Sequence, residues 1–370
     1  MNYTEVESIV DFKQLIGKSS VLKKYAFQNL DFHQVQDLLH HTNFVDCIFL
    51  GCKIPESVLN YLPESNLIFP HLNVPFNPYL NRLYSREMLY DGYLLGKPES
   101  YQNTFDYKVY SHYLNKGKES RDIGETLARR LHDHAITDAL YDYLHQIEEK
   151  RVVAIMGGHG LKRDSEDYRI VASLSKQLTE MGYLMVSGGG PGAMEATHLG
   201  AWLAGRSPVT VDAAVKILSK APSCEDEHWL DAAFEVLHTY SSTQYESVGI
   251  PTWLYGHEPA SPFATKIAKY FANSVREDGL LTIAKGGVIF APGSAGTIQE
   301  IFQDATQNHY RSFGYASPMI FLNKSYWEHD RPIYPLLKKM SEEGKYEHLI
   351  LSLCANEKEV IQSLKEFYIP

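Results

Sequence analysis

Two glycine-rich segments constrain the fold of this chain more than any other feature. The first, residues 187–196, reads SGGGPGAMEA, and the second, residues 292–300, reads PGSAGTIQE. Each follows a short apolar run and precedes a segment with helical periodicity. In parallel α/β sheets, such turns let an anion approach the free backbone N–H groups at a helix N-terminus. Two of them in one domain predict a site that holds a phosphorylated ligand from two sides.

Short apolar runs alternate with helical patterns from Arg151 onward. The apolar runs predict strands at residues 152–156, 183–186, 248–255, 287–291 and 318–322. The periodic segments predict helices at residues 165–181, 192–204, 229–237, 264–277 and 296–308, and a mostly helical tail at 333–367. This alternation predicts an α/β fold with a doubly wound, Rossmann-like parallel sheet that binds ligands at the carboxyl ends of its strands.

The N-terminal third differs in composition from the rest, being rich in Tyr, Leu, Asn and His and poor in glycine. We therefore expect an N-terminal accessory domain at residues 1–125 and a nucleotide-binding domain with a helical C-terminal tail at residues 126–370. Residues 27–32 and 44–52 are predicted to be short strands, and their pattern resembles that of pentapeptide-repeat coils. One or two such coils cannot bury a core by themselves.

Charge and cysteine usage narrow the range of partners. The net charge is −10 and no basic stripe is present, so nucleic-acid polymers and membranes are not expected partners. The four cysteines have no zinc or redox spacing. The N-terminus does not resemble a secretory signal, and no apolar run approaches membrane-spanning length. These features predict a cytoplasmic protein.

A third glycine turn, residues 157–160 (GGHG), follows the first strand of the predicted sheet. It does not match the G-x-G-x-x-G dinucleotide fingerprint, and no G-x-x-x-x-G-K-[ST] phosphate loop occurs in the chain. A standard NAD-dependent enzyme or ATPase is therefore not indicated.

Taken together, the motifs resemble those of the LOG family, formerly described as lysine-decarboxylase-like. The family patterns G-G-G-x-x-G-x-M-E-A and P-G-G-x-G-T-x-x-E are similar to residues 188–196 and 292–300. Between them, residues 249–258 (GIPTWLYGHE) and 270–276 (YFANSVR) resemble the family's H-E strand end and F-V-R-K helix. The opening strand and turn look most like those of the longer bacterial nucleotide 5′-monophosphate nucleosidases.

The resemblance implies hydrolysis of the N-glycosidic bond of a nucleoside 5′-monophosphate such as AMP, giving free base and ribose 5-phosphate. It also implies a catalytic pair, Arg276 and Glu300. A carboxylate can stabilise an oxocarbenium-like ribosyl cation and orient or deprotonate the attacking water, and arginine can clamp phosphate or ribose. No metal or redox cofactor is implied. Family members pair across this domain, so we expect a homodimer or a higher homo-oligomer.

Further candidates for phosphate or nucleotide binding come from the three turns: Gly157, Gly158, His159, Gly189, Gly190, Gly192, Glu195, Gly293, Ser294, Gly296 and Thr297. Thr297 is also expected to cap its helix. Other roles remain open for several candidates. Glu195 and Glu300 could be first-turn glutamates favoured by the helix dipole, Arg276 could be a surface residue, and His159 could be an ordinary turn histidine.

The chain departs from the family pattern at two positions. Ser294 replaces the third residue of the second loop, a glycine, and fits there without strain only if its φ is negative. Glu277 replaces the lysine that follows the family's arginine. These changes leave an alternative of a different class, a non-catalytic nucleotide sensor on the same fold.

Overall fold

The computed structural model describes residues 3–368, which form two compact units. The first unit consists of Met1–Leu83 and His112–Leu140, and the second of Tyr84–Ser111 and Tyr141–Pro370. The units therefore interleave along the chain. The sequence-based division into domains at residues 1–125 and 126–370 is a statement about which segments can fold independently. It stays a prediction.

The first unit is built around short parallel strands. Its elements in chain order are β1 (Thr4–Val6), α1 (Ile9–Ile16), β2 (Val21–Lys23), β3 (Tyr25–Gln28), α2 (Gln36–Leu39), β4 (Asn43–Val45), β5 (Ile48–Leu50), α3 (Glu56–Leu59) and β6 (Leu67–Phe69). One sheet has the order β1-β3-β5-β6, and β2 pairs with β4 in another. All of these pairs are parallel.

Two of the strand pairs, β2–β4 and β3–β5, share a register offset of 22 residues, which aligns Leu22 with Phe44 and Phe27 with Phe49. In both of these pairings, one buried apolar residue lies beside another. Phe27 and Phe49 are buried, with ring centroids 5.1 Å apart, and Phe12 and Phe32 pack edge-on against Phe27. Closely packed aromatic side chains are therefore a large part of the core of this unit.

Three helices follow: α4 (Arg86–Leu89), α5 (Phe105–Lys116) and α6 (Ile123–Leu144). The start of α5 belongs to the second unit, where Asp106 accepts hydrogen bonds from Lys269 Nζ at 2.6 Å and from Trp253 Nε1 at 2.9 Å. Asp106 and Lys269 are each only 1% exposed. This buried ion pair makes the segment 84–111 an integral part of the second unit.

The second unit contains a seven-stranded sheet covered by helices. Its strands are β7 (Val152–Met156), β8 (Leu184–Ser187), β9 (Ser247–Gly249), β10 (Lys266–Ile267), β11 (Gly287–Phe290), β12 (Pro318–Leu322) and β13 (Ile350–Cys354). Its remaining helices are α7 (Glu166–Glu180), α8 (Ala193–Trp202), α9 (Val209–Leu218), α10 (Trp229–Thr239), α11 (Asn273–Ile283), α12 (Ala295–Tyr310), α13 (Ile333–Glu342) and α14 (Glu357–Tyr368).

The strand order is β10-β9-β8-β7-β11-β12-β13, and every neighbouring pair is parallel. The chain starts at the central strand β7, adds strands outward to β10, and then returns to β11 on the other side of β7. The predicted doubly wound α/β sheet is confirmed. The reversal creates a topological switch point between β7 and β11, where such sheets bind their ligands.

Three segments differ from the sequence prediction. The strand predicted at 248–255 stops at Gly249, because Pro251 lacks an N–H and Thr252 caps a short 3-10 helix, Trp253–Tyr255. The helix predicted at 264–277 begins only at Asn273, after the buried edge strand β10. The predicted helical tail contains β13, which pairs with β12. For β10 and β13, the local periodicity did not indicate a strand, because each of these strands is stabilised by pairing with a neighbouring strand.

No helix among residues 3–368 combines the length and the apolar character needed to cross a membrane.

Candidate functional site

A cleft of about 400 Å³ lies at the switch point, at the carboxyl ends of β7, β8 and β11. We call it the switch-point cleft. Its lining residues are Met156, Gly157, Gly158, His159, Gly188, Met194, Tyr255, Glu258, Arg276, Glu277, Ser294, Ala295, Gly296, Thr297, Gln299 and Glu300. Its volume falls in the range of small-molecule binding pockets.

The glycine turn after β7 is hydrogen-bonded both to the turn after β11 and to the start of α8, which follows the turn after β8. Gly158 N–H donates to the carbonyl of Pro292 at 3.0 Å, and Ala193 N–H, at the start of α8, donates to the carbonyl of Gly158 at 3.1 Å. Gly192 has a φ of +71°, and a Cβ atom there would lie 2.3 Å from the carbonyl oxygen of Gly158. Glycine is required at position 192 because the turn after β8 approaches the turn after β7 too closely for a side chain.

The N-terminus of α12 opens into the cleft. Ser294, Ala295, Gly296 and Thr297 all line it, and none of their backbone N–H groups has an acceptor within the part of the chain that the structure describes. A Cβ atom at Gly296 would meet no atom within 4 Å, so the space beside this backbone is open. These N–H groups and the positive end of the helix dipole provide the features that bind a phosphate group.

The conformation of the second loop answers two questions raised by the sequence. Ser294 has a φ of −114°, so serine fits this position without left-handed strain. The prediction that Thr297 caps α12 is wrong, because the helix begins at Ala295 and Thr297 lies within its first turn. Thr297 is 4% exposed, and its hydroxyl has no hydrogen bond within residues 3–368, which leaves it available to a ligand.

Arg276 and Glu300 meet in the cleft. Arg276, on α11, is 8% exposed, and its Nε donates to the carbonyl of Ile250 at 2.9 Å. Its Nη1 lies 3.7 Å from Oε1 of Glu300 on α12. Gly188 lies against the same guanidinium, since a Cβ atom there would come within 2.6 Å of Nη2. The absence of a side chain at Gly188 therefore makes room for Arg276.

The Glu300 carboxylate has an unusual protonation equilibrium. Its side chain is 13% exposed, and burial raises its pKa from 4.5 to about 7; Arg276 lowers the pKa and Glu277 raises it. A group with a pKa near neutrality can exchange a proton during a reaction at physiological pH.

Glu277 is a second carboxylate beside the same arginine. Its Oε1 is 3.9 Å from Arg276 Nη1 and accepts a hydrogen bond from Asn273 Nδ2 at 2.7 Å. Its Oε2 accepts from Gln299 Nε2 at 2.9 Å. Arg276 therefore divides its charge between two carboxylates, which leaves Glu300 incompletely neutralised.

Not every residue predicted from the sequence reaches the cleft. Gly157, Gly158, His159, Arg276, Ser294, Gly296, Thr297 and Glu300 line it, whereas Gly189, Gly190, Gly192, Glu195 and Gly293 do not.

Glu195 instead belongs to a buried network behind the first loop. Its carboxylate is completely buried and accepts hydrogen bonds from Arg163 Nη2 at 2.5 Å, from Arg163 Nε at 2.8 Å and from the Tyr168 hydroxyl at 2.9 Å. The Arg163 guanidinium also packs over the Trp229 ring. Because its hydrogen bonds connect α7, α8 and the segment before α7, Glu195 holds these elements together.

The sequence reasoning did not select several residues of the cleft: Met156, Gly188, Met194, Tyr255, Glu258, Glu277, Ala295 and Gln299. Glu258 and Tyr255 follow β9, and Glu258 Oε1 lies 3.9 Å from Nε2 of both His159 and His257. The signal for Glu258 was its place in the H-E pair that ends the motif at residues 249–258, just past a strand of the parallel sheet, where ligands bind.

No protein-family model and no curated protein sequence matches the chain. Among solved structures, the chain is similar to the molybdenum cofactor binding protein of the phototrophic bacterium Rippkaea orientalis, with 13% identity over 58% of this chain and 96% of the other and a TM-score of 0.36. It is also similar to the Moco carrier protein of Chlamydomonas reinhardtii, with 14% identity over 58% and 95% of the two chains and a TM-score of 0.35. The chemistry of the cleft follows from its own residues.

Proposed function

We propose that this protein is a nucleoside 5′-monophosphate phosphoribohydrolase, which cleaves the N-glycosidic bond to give free base and ribose 5-phosphate. The observation that carries the proposal is the position of the Glu300 carboxylate, 3.7 Å from Arg276 and in the same cleft as the N-terminus of α12. An anion site next to a carboxylate of raised pKa suits a phosphorylated sugar that reacts through a cation. The similarity of the loops to LOG-family motifs supports the same reaction.

In this proposal, the N–H groups of residues 294–297 and the Thr297 hydroxyl bind the 5′-phosphate. They supply neutral donors and a helix dipole, which suits a chain whose net charge of −10 would otherwise repel an anion. The phosphate then fixes the ribose relative to Glu300. Fixing the reacting carbon beside a catalytic group lowers the entropic part of the barrier.

The ionised form of Glu300 is the active form in this mechanism. As the bond between base and ribose breaks, positive charge develops on the ribosyl ring, and a carboxylate stabilises that charge. The same carboxylate accepts a proton from the water that attacks the anomeric carbon, so the hydroxyl is delivered to ribose 5-phosphate, while the base leaves with the electron pair of the broken bond and takes up a proton from solvent. Arg276 holds the ribose or phosphate and lowers the pKa of Glu300, so that the ionised form is populated at neutral pH. Assembly as a homodimer is part of this proposal.

A nucleotide sensor without hydrolytic activity is the second candidate. The observation that favours it is the 3.9 Å contact between Glu277 and Arg276, since this carboxylate draws on the charge of the arginine assigned to catalysis and leaves the N-terminus of α12 free to bind nucleotide. A sensor binds nucleotide and releases no base, so measuring both binding and base release separates the two candidates.

Kinetic comparison of Glu300→Gln with the unchanged protein tests the hydrolase proposal. The substitution keeps the size of the side chain and removes its charge, so we expect kcat to fall by about two to four orders of magnitude. Nucleotide affinity should change little, because the anion site is intact. Arg276→Ala should weaken both affinity and rate. Glu342→Gln, an exposed carboxylate on α13, serves as the control. Full activity in Glu300→Gln contradicts the mechanism.

A further inference from the structure

The second glycine loop receives hydrogen bonds from two directions. Gly158 N–H donates to the carbonyl of Pro292 at 3.0 Å, and the Tyr326 hydroxyl donates to the carbonyl of Gly293 at 2.6 Å. Two successive peptide groups of the loop are therefore oriented by donors that lie outside it. Tyr326 is not among the residues that line the switch-point cleft.

Tyr326 is itself held in a defined position. It begins a π-helical turn, Tyr326–Asp330, just after β12, and its backbone N–H donates to Oδ1 of Asn323 at 3.2 Å. The next residue, Trp327, is completely buried and donates from Nε1 to the carbonyl of Phe290 at 3.0 Å, at the end of β11. π-helical turns inside proteins frequently occur at functional sites. This turn ties the end of β11 and the loop after it to the end of β12.

The hydrogen bond from Tyr326 also determines where the next N–H group points. In a planar trans peptide, the carbonyl of Gly293 and the N–H of Ser294 point in opposite directions. Because Tyr326 binds the carbonyl, the Ser294 N–H is directed away from Tyr326, and Ser294 lines the cleft. This N–H has no acceptor within residues 3–368.

We propose that Tyr326 is a positioning residue that aims the Ser294 N–H at the phosphate group of the ligand. The inference rests on the phosphate-binding part of the proposed function and not on the hydrolysis step. Without the tyrosine hydroxyl, the peptide between Gly293 and Ser294 loses the contact that fixes its plane. The N–H can then rotate away from the anion, while Thr297 and the rest of the helix N-terminus stay in place.

Tyr326→Phe tests the proposal, because it removes only the hydroxyl. Calorimetry with ribose 5-phosphate should show affinity reduced roughly five- to tenfold, the usual effect of one neutral hydrogen bond. For AMP, KM should rise by a similar factor with kcat nearly unchanged. Adenosine, which has no phosphate, should bind the variant and the unchanged protein equally. Tyr315→Phe is the matched control, since it removes a hydroxyl that hydrogen-bonds Glu149 elsewhere in the same unit.

Each outcome bears on the proposal. Unchanged affinity of Tyr326→Phe for ribose 5-phosphate overturns it, and so does an equal loss of affinity for adenosine, which would indicate a general loss of structure. A loss in Tyr315→Phe as large as that in Tyr326→Phe overturns it as well. If the unchanged protein binds ribose 5-phosphate but never releases a base, the hydrolase proposal fails and the role of Tyr326 is still tested by the affinities.

Discussion

Replacing Glu300 by glutamine should stabilise the protein while it lowers kcat by about two to four orders of magnitude. Burial raises the pKa of this carboxyl from 4.5 to about 7, so between these two pH values the folded state holds a proton that the unfolded state has released. The free energy of unfolding therefore falls as pH rises through this window, and the loss is complete above pH 7. The shift corresponds to about 3 kcal/mol.

Glutamine at position 300 carries no titratable proton, so this loss disappears in the variant. Near pH 4.5 the variant and the unchanged protein should have similar stability, because Glu300 is then neutral when folded. At pH 8 the variant should be more stable by about 3 kcal/mol. The four tryptophans, Trp202, Trp229, Trp253 and Trp327, all lie in the second unit, so denaturant titrations followed by tryptophan fluorescence report on the unit that contains Glu300.

The control is Glu342→Gln, which removes an exposed carboxylate in the same unit; the gain in stability at pH 8 is expected for Glu300→Gln and not for this control. A parallel pH dependence for Glu300→Gln and the unchanged protein would refute the reasoning, because it would mean that Glu300 is ionised in the folded protein as easily as in the unfolded chain. A destabilised variant at pH 8 would indicate that the Arg276 contact outweighs the cost of burial.

Three further substitutions have defined consequences. Glu277→Gln removes a charge that raises the pKa of Glu300, so the acid limb of the profile of kcat/KM against pH should move below pH 7. An acid limb that does not move contradicts the electrostatic coupling between Glu277 and Glu300. Gly296→Val fills the open space beside the N-terminus of α12 and should abolish nucleotide binding in calorimetry, with the fold retained by circular dichroism. Asp106→Asn leaves the buried Lys269 without its charged partner and should destabilise the second unit by about 3–5 kcal/mol in a denaturant titration.

The sequence was sufficient to predict the central part of the sheet and the position of its ligand site. Residues 152–156, 287–291 and 318–322 are apolar runs next to clear turn signals, and each forms a strand there. The glycine loops follow β8 and β11, so parallel topology was enough to place both loops at the same edge, whereas the pairing of Arg276 with Glu300 was implied by the family resemblance. These features depend on local signals and on general rules of connection.

Other features depend on contacts between distant residues and could not be predicted. The strand β13 is held by its pairing with β12, and β10 is a two-residue edge strand whose local sequence resembles a helix. Glu195 has the position of a ligand-binding residue in the motif, but Arg163 and Tyr168, which lie far from it in the sequence, occupy its carboxylate. The role of Tyr326 depends likewise on a hydrogen bond to Gly293 from a different strand end.

The products formed from a nucleoside monophosphate test the central claim most directly. The purified protein is incubated separately with AMP, GMP, CMP, UMP and IMP, and the products are identified by chromatography and phosphorus NMR. We expect at least one nucleotide to give free base and ribose 5-phosphate in equal amounts, and Glu300→Gln to form them about two to four orders of magnitude more slowly while still binding that nucleotide. Nucleoside and inorganic phosphate as products, or binding of nucleotides without release of any base, would contradict the account.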